Sequence, residues 1–173
     1  MKKIVAIDPG ASGAFCELVN GDVVMHKMPD TDHDVYNLVT AIFESTPPSD
    51  RVVYLEKVGG FMGSRAGEGD EKHNMAAAHT MFKFGQNYGF LRGVLTANHC
   101  RIELVVPRTW QKDLAIAASG VERKRRLKEV AQQRHPDLSK KITLQTCDAL
   151  LLFDYGCRKE RENVVAPAQE TLL

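Results

Sequence analysis

Three acidic residues stand where chemistry is possible. Asp8 closes the apolar run "IVAID" just before Pro9-Gly10, Glu56 closes "RVVYLE", and Asp148 interrupts "TCDALLLF". Asp8 and Glu56 each end a run expected to form a central strand. Parallel neighbours bring their C-terminal ends side by side, where ligand sites in such sheets lie. Two carboxylates there repel each other unless a cation or a proton sits between them. Asp148 is expected on an otherwise apolar helix side, with Leu144, Gln145, Leu151, Leu152 and Tyr155 at spacings of three, four or seven. Left unpaired there it is costly, so it needs a metal, an arginine or a helix-terminal amide. Three carboxylates with an open side suit hard divalent ions such as Mg²⁺ or Mn²⁺. Two such ions about 3.5–4 Å apart can activate water and stabilise the leaving oxygen of a phosphodiester.

Each acid has a plainer reading. Asp8 before Pro-Gly is also a turn former, Glu56 before Lys57 can make a surface ion pair, and Asp148 in a first helical turn complements the helix dipole. The three together are more specific than any one alone.

The elements that must hold them follow from local patterns. Residues 3–8 read as a buried strand, and Gly10 and Gly13 allow the turn after it. "GAFCELV" and "DVVMHKM" flank Asn20-Gly21, a hairpin signal, so the first three strands form an antiparallel meander. "DHDVYNLVTAIFES" has helical spacing, starts at Asp32 or Asp34 and is stopped by Thr46-Pro47-Pro48. "RVVYLE" follows that helix and should pair parallel to the first strand. A long Gly-rich loop follows, then a helix from about Met75 to Val94. "RIELVV" is the next strand and "RTWQKDLAI" a short helix. "VERKRRLKEVAQQR" is a basic helix, and "LQTCDALLLFDYGCR" a last buried one. The order describes an α/β layer fold with a mixed sheet.

Composition narrows the class. The 173 residues fit one domain, 43% are hydrophobic and 26% charged, which describes a folded globular chain. The net charge of +1 leaves nucleic-acid binding to local clusters. No apolar run approaches the about 18 residues of a membrane span, and Asp8-Pro9 cuts short a signal-like start. Cys16, Cys100, Cys147 and Cys157 form no CxxC pair, which argues against a disulfide framework and fits a cytosol. His99-Cys100 lacks a second ligand pair at zinc spacing.

In this order, "AIDPGASGAF", "VYLEKV", "PRTWQKDL", "ERKRRL" and "TCDALLLFDYG" resemble the RuvC-type Holliday-junction resolvases (crossover junction endodeoxyribonucleases) of the ribonuclease H-like superfamily. The Gly-rich loop and "FKFGQNYGFLRGVL" are more similar to its phage and prophage branch. The resemblance runs from residue 3 to about 157. "DPGxSG" alone also occurs in actin-like ATPases, but that fold needs far more than 173 residues. The resemblance implies an α/β, ribonuclease H-like fold: a mixed five-stranded sheet, antiparallel in its first three strands and then parallel, with helices on both faces. It implies one nuclease domain over 1–160, a tail over 161–173, and a location in bacterial or phage-infected host cytosol. It further implies a Mg²⁺-dependent (or Mn²⁺-dependent) endodeoxyribonuclease with two ions held by Asp8, Glu56 and Asp148. Lys124 and Lys112 then lie near the scissile phosphate. Three residues before the last acid the family tends to place Asp or His; here stands Gln145, whose neutral amide is a weak ligand. That departure keeps two alternatives open, a broader branched-DNA or flap nuclease and a DNA-binding protein of this fold with weakened catalysis.

Basic and aromatic residues supply the DNA-facing candidates. Arg123, Lys124, Arg125, Arg126, Lys128 and Arg134 crowd one helix, opposed by Glu122 and Glu129. That helix is either a solvated face or a phosphate-binding surface. Phe61 and Met62 in the glycine loop either wedge between bases or tuck into the core, and Arg65 beside them is a phosphate candidate; Lys57 is a weaker one. Phe82, Phe84, Tyr88 and Phe90 read as core with a close helix contact, and Trp110 as core. A four-way junction needs two cuts, which a two-fold dimer matches. The resemblance implies a homodimer on branched DNA. Gly85, Gly89 and Gly93 recur every fourth residue; that stripe either packs on its own sheet or meets a second copy.

Overall fold

The computed structural model describes residues 2–58, 71–116 and 119–165. Five strands form one sheet in the order β3-β2-β1-β4-β5. Strands β1 (Lys3–Asp8), β2 (Ala14–Val19) and β3 (Asp22–Lys27) make the expected meander. Asn20 and Gly21 turn the hairpin with positive φ values of 52° and 92°, the conformation a two-residue turn of this hand demands. Strand β4 (Arg51–Glu56) lies parallel to β1, and β5 (Arg101–Val105) parallel to β4.

Side-chain alternation splits the core in two. Val5, Ile7, Phe15, Val53 and Leu55 pack beneath α1 (Asp32–Phe43) and α2 (Glu71–Ala97). Ala6, Ala14, Cys16, Val52 and Tyr54 pack beneath α5 (Cys147–Val165), with Trp110 of α3 (Pro107–Gln111) and Leu127 and Ala131 of α4 (Gly120–Arg134). Helices therefore cover both faces. Helix α5 sits close enough that a side chain at Gly156 would strike the Tyr54 ring at 2.7 Å.

Boundaries moved where long-range or capping contacts prevail. Helix α1 is capped by Thr31, whose hydroxyl accepts from the Asp34 amide at 3.1 Å, and it ends at Phe43 rather than at the Thr46-Pro47-Pro48 stop. Helix α2 is longer at both ends than expected. It stops only where His99 adopts a left-handed φ of 53° and the Cys100 amide reaches the Leu95 carbonyl at 3.0 Å. Helix α5 runs to Val165, past the tail boundary at 161. Residues 144–146, expected within α5, form a turn instead. The Thr143 hydroxyl accepts from the Gln145 and Thr146 amides, and the Thr146 hydroxyl accepts from the Thr143 amide, so these side chains hold the backbone out of the helix. Phe82 is 65% exposed and is not core. Among the described residues nothing lies within 4 Å of where a Cβ would stand on Gly85, Gly89 or Gly93, so the stripe does not pack on its own sheet. Among the described residues no helix is long and apolar enough to cross a membrane.

Candidate active site

The pairing of β1 with β4 decides where the first two acids meet. Ala6 stands opposite Tyr54 and Ile7 opposite Leu55. One further step along the same register sets Asp8 beside Glu56. Both continue the even-numbered face of their strands, the face covered by α5. The chain leaves Asp8 through a tight turn in which the Gly13 amide donates to the Gly10 carbonyl at 2.8 Å. A Cβ on Gly13 would lie 2.0 Å from the Asp8 carbonyl oxygen, so only glycine fits.

Asp148 arrives in the first turn of α5, with its side chain 12% exposed. The Lys124 ammonium from α4 donates to Asp148 Oδ2 at 2.6 Å and lies 3.6 Å from Asp8 Oδ2. The Cys147 thiol donates to the other Asp148 oxygen at 3.3 Å. The Trp110 indole N–H donates to Glu56 Oε2 at 2.9 Å. Trp110 is thus both core and a partner of a site carboxylate. Its place just past β5, the parallel neighbour of the strand that ends at Glu56, brings it near the site, but no local pattern specifies the bond.

Among the described residues one ammonium, Lys124, bridges Asp8 and Asp148 while Glu56 has only a neutral indole, and the electrostatics show the shortfall. Burial, partly offset by Lys124 and reinforced by Asp148, pushes Asp8 up to about 6. Burial and the Asp8 charge push Glu56 up to about 7, against the Trp110 hydrogen bond. Burial works against the Lys124 charge too, yet Asp148 and then Asp8 outweigh it and raise its pKa. An all-oxygen donor set that is short of positive charge fits a hard divalent cation. Among the described residues no three ligating side chains are already drawn into coordination geometry. An ion there would have to draw the carboxylates together and displace the Lys124 bridge.

The remaining candidates scatter. Gln145 approaches the site from the turn before α5 and not from the helix itself; its Nε2 donates to the Gly13 carbonyl at 3.1 Å. Lys112 is exposed in a short turn, and among the described residues it is Lys124 that pairs with the acids. Lys57 is exposed. On α4, Arg126 pairs with Glu122 and Glu129 at 3.2 and 2.9 Å, and Arg125 lies 3.9 Å from Glu122. Arg123 and Lys128 are half-buried on the same helix. Phe61, Met62 and Arg65 lie outside the described residues.

No protein-family model and no curated protein matches the chain. Solved structures do. The RuvC of Thermus thermophilus in complex with Holliday junction substrate aligns with a TM-score of 0.56 at 15% identity, over 94% of this chain and 96% of that one. Another structure of Thermus thermophilus RuvC gives 0.55 at 13% identity, over 93% of this chain and 96% of that one. At such identity the likeness is one of fold: this chain has the ribonuclease H-like architecture of RuvC, with the mixed sheet and two helical layers expected from its sequence.

Proposed function

We propose that the chain is a divalent-metal-dependent endonuclease that cuts four-way DNA junctions. The observation that carries this reading is the placement of Asp8 and Glu56 at the carboxyl ends of the neighbouring strands β1 and β4, with Asp148 tied to Asp8 through Lys124, in the fold of a protein seen with a Holliday junction. The three carboxylates would hold Mg²⁺ or Mn²⁺, with room in the proposal for a second ion. A divalent ion there supplies positive charge that activates water and stabilises the leaving oxygen. Lys124, which bridges Asp8 and Asp148, would be released toward an entering phosphate if those carboxylates held an ion. Gln145 has its amide nitrogen committed to Gly13, which leaves its oxygen for a water or a weakly held second ion. Lys112 and the basic side chains of α4 bind the DNA backbone around the cut.

Paired incision needs a second copy. The open glycine stripe of α2, with Phe82 exposed beside it, supports a two-fold interface there. The neutral Gln145 keeps a second reading alive, a junction-binding protein of the same fold with weakened catalysis.

The test is incubation with labelled four-way junction, flap and linear duplex, with and without Mg²⁺. Symmetrical paired cuts in the junction, dependent on Mg²⁺, are expected. Single cuts confined to the flap would move the assignment to a flap nuclease. Tight junction binding with no cutting in Mg²⁺ or Mn²⁺ would leave the binding protein.

A further inference from the structure

Trp110 is the chain's single tryptophan, and it is 2% exposed. It lies in α3, which starts at Pro107 two residues after β5 ends. The chain therefore turns directly from the strand beside Glu56 into the helix that carries the indole. The ring packs among the residues under α5, and its one polar atom, Nε1, donates to Glu56 Oε2 at 2.9 Å.

Two features of this contact go beyond packing. The first is geometric. A glutamate side chain has several free torsions, and the bond to a buried, rigid ring stops the last of them. Oε2 is engaged by the indole, so Oε1 is the oxygen with more lone-pair capacity left for an ion. The second is electrostatic. The indole is a neutral donor. It orients the carboxylate without cancelling its charge, as a lysine or arginine in the same place would do. A carboxylate meant for a cation needs such a partner. Hydrogen-bond partners behind metal-ligating carboxylates do orient ligands in this way.

We propose that Trp110 is a positioning residue that presents one oxygen of Glu56 to a divalent ion, and that its emission reports the occupancy of that site. The proposal rests on the nuclease reading only for the identity of the reaction; the metal-binding part stands apart from it.

The experiment uses the full chain. Wild type is titrated with Mg²⁺ while tryptophan emission is followed, and the Mg²⁺ affinity of wild type and Trp110→Phe is measured by calorimetry. Phenylalanine keeps an aromatic ring in the core and removes the N–H. A saturable emission change is expected in wild type and not in Glu56→Gln. Trp110→Phe should bind Mg²⁺ about tenfold or more weakly. The Mg²⁺ needed for half-maximal cutting should rise by the same factor, with junction affinity in EDTA unchanged. Wild-type Mg²⁺ affinity in Trp110→Phe would reduce Trp110 to a core residue. Should that variant fail to fold, the wild-type titration decides: Mg²⁺ binding detected by heat but silent in emission overturns the proposal. A chain that binds Mg²⁺ in this Trp110-dependent way yet cuts no DNA would remove the nuclease reading and leave this one standing.

Discussion

Helix α5 carries a buried carboxylate near each end, and the molecule treats the two in opposite ways. Glu160 lies about 18 Å along the helix from Asp148 at the usual rise. There Lys2 donates to it at 2.6 Å and the Tyr54 hydroxyl at 2.9 Å, and Arg101 pairs with it as well. Burial opposes the Glu160 charge, but these three donors outweigh it and hold its pKa below the usual carboxylate range. Glu17, buried in β2 with Lys3 and His26 as partners, behaves in the same way. At the other end of α5, among the described residues, one ammonium bridges Asp8 and Asp148 and Glu56 has only an indole partner, and Asp8 and Glu56 are pushed up instead. Buried carboxylates of the first kind are structural joints. Those of the second kind are left short of positive charge by the described side chains, as the proposed metal site requires.

The largest effect expected from this contrast is in mutants. Asp8→Asn, Glu56→Gln and Asp148→Asn should each cut junction DNA at least about a thousandfold more slowly. Junction binding should stay intact or tighten, because a charge repelling phosphate is gone. Glu160→Gln should do the reverse. Cutting should change little, while stability falls by about 1–2 kcal/mol through three donors left poorly matched, a modest loss because Lys2 and Arg101 are partly exposed to water. Single-turnover cleavage and thermal melts of the four variants check both halves. A strong rate loss in Glu160→Gln with normal folding would dissolve the distinction.

A smaller effect is expected with pH. Asp8 and Glu56 rise from ordinary values of 3.8 and 4.5 to about 6 and about 7 on folding. The folded chain therefore holds more protons than the unfolded one across that window. Their contribution to stability is full below about 4 and is lost as pH rises through 6 and 7. Glu160 and Glu17, with lowered values, have the opposite sign: they stabilise at neutral pH and lose that contribution only in acid. Between pH 5 and 8 the melting temperature in EDTA should accordingly fall. Mg²⁺ should recover it at pH 8 and do little at pH 5, where protons compete with the ion. A melting temperature that climbs from pH 5 to 8 in EDTA would mean that the acids are not the strained group.

The smallest effect concerns the basic helix. Arg126 is already paired within α4, whereas Lys124 is spent on the acids. Arg126→Ala should weaken junction binding only a few-fold and reduce the salt slope by about one. Lys124→Ala should slow cutting far more than it weakens binding. Filter binding over a salt series and single-turnover rates separate the two. Equal effects on rate and affinity at both positions would merge site and surface into one electrostatic patch.

Much of this was written locally in the chain. Strand alternation, Asn20-Gly21 and the placement of Asp8 and Glu56 at strand ends depend on neighbouring residues. They therefore determine the meander, the parallel β4 and an acid pair at the carboxyl ends of two neighbouring strands. The basic character of α4 and the acid in the first turn of α5 are of the same kind.

What the sequence left open are contacts between distant residues and the ends of helices. Trp110 meets Glu56 across 54 positions, and Lys2 meets Glu160 across 158. No periodicity encodes either, since each exists only once the sheet has closed under α5. Gln145 leaves the helix because two threonine hydroxyls compete successfully for its backbone, an outcome that helical spacing cannot foresee. The glycine stripe of α2 is plain in the sequence, but its direction is not. Leu91, Val94 and Leu95 bury more apolar surface against the sheet than glycines could, so the helix turns them inward and leaves the stripe facing out.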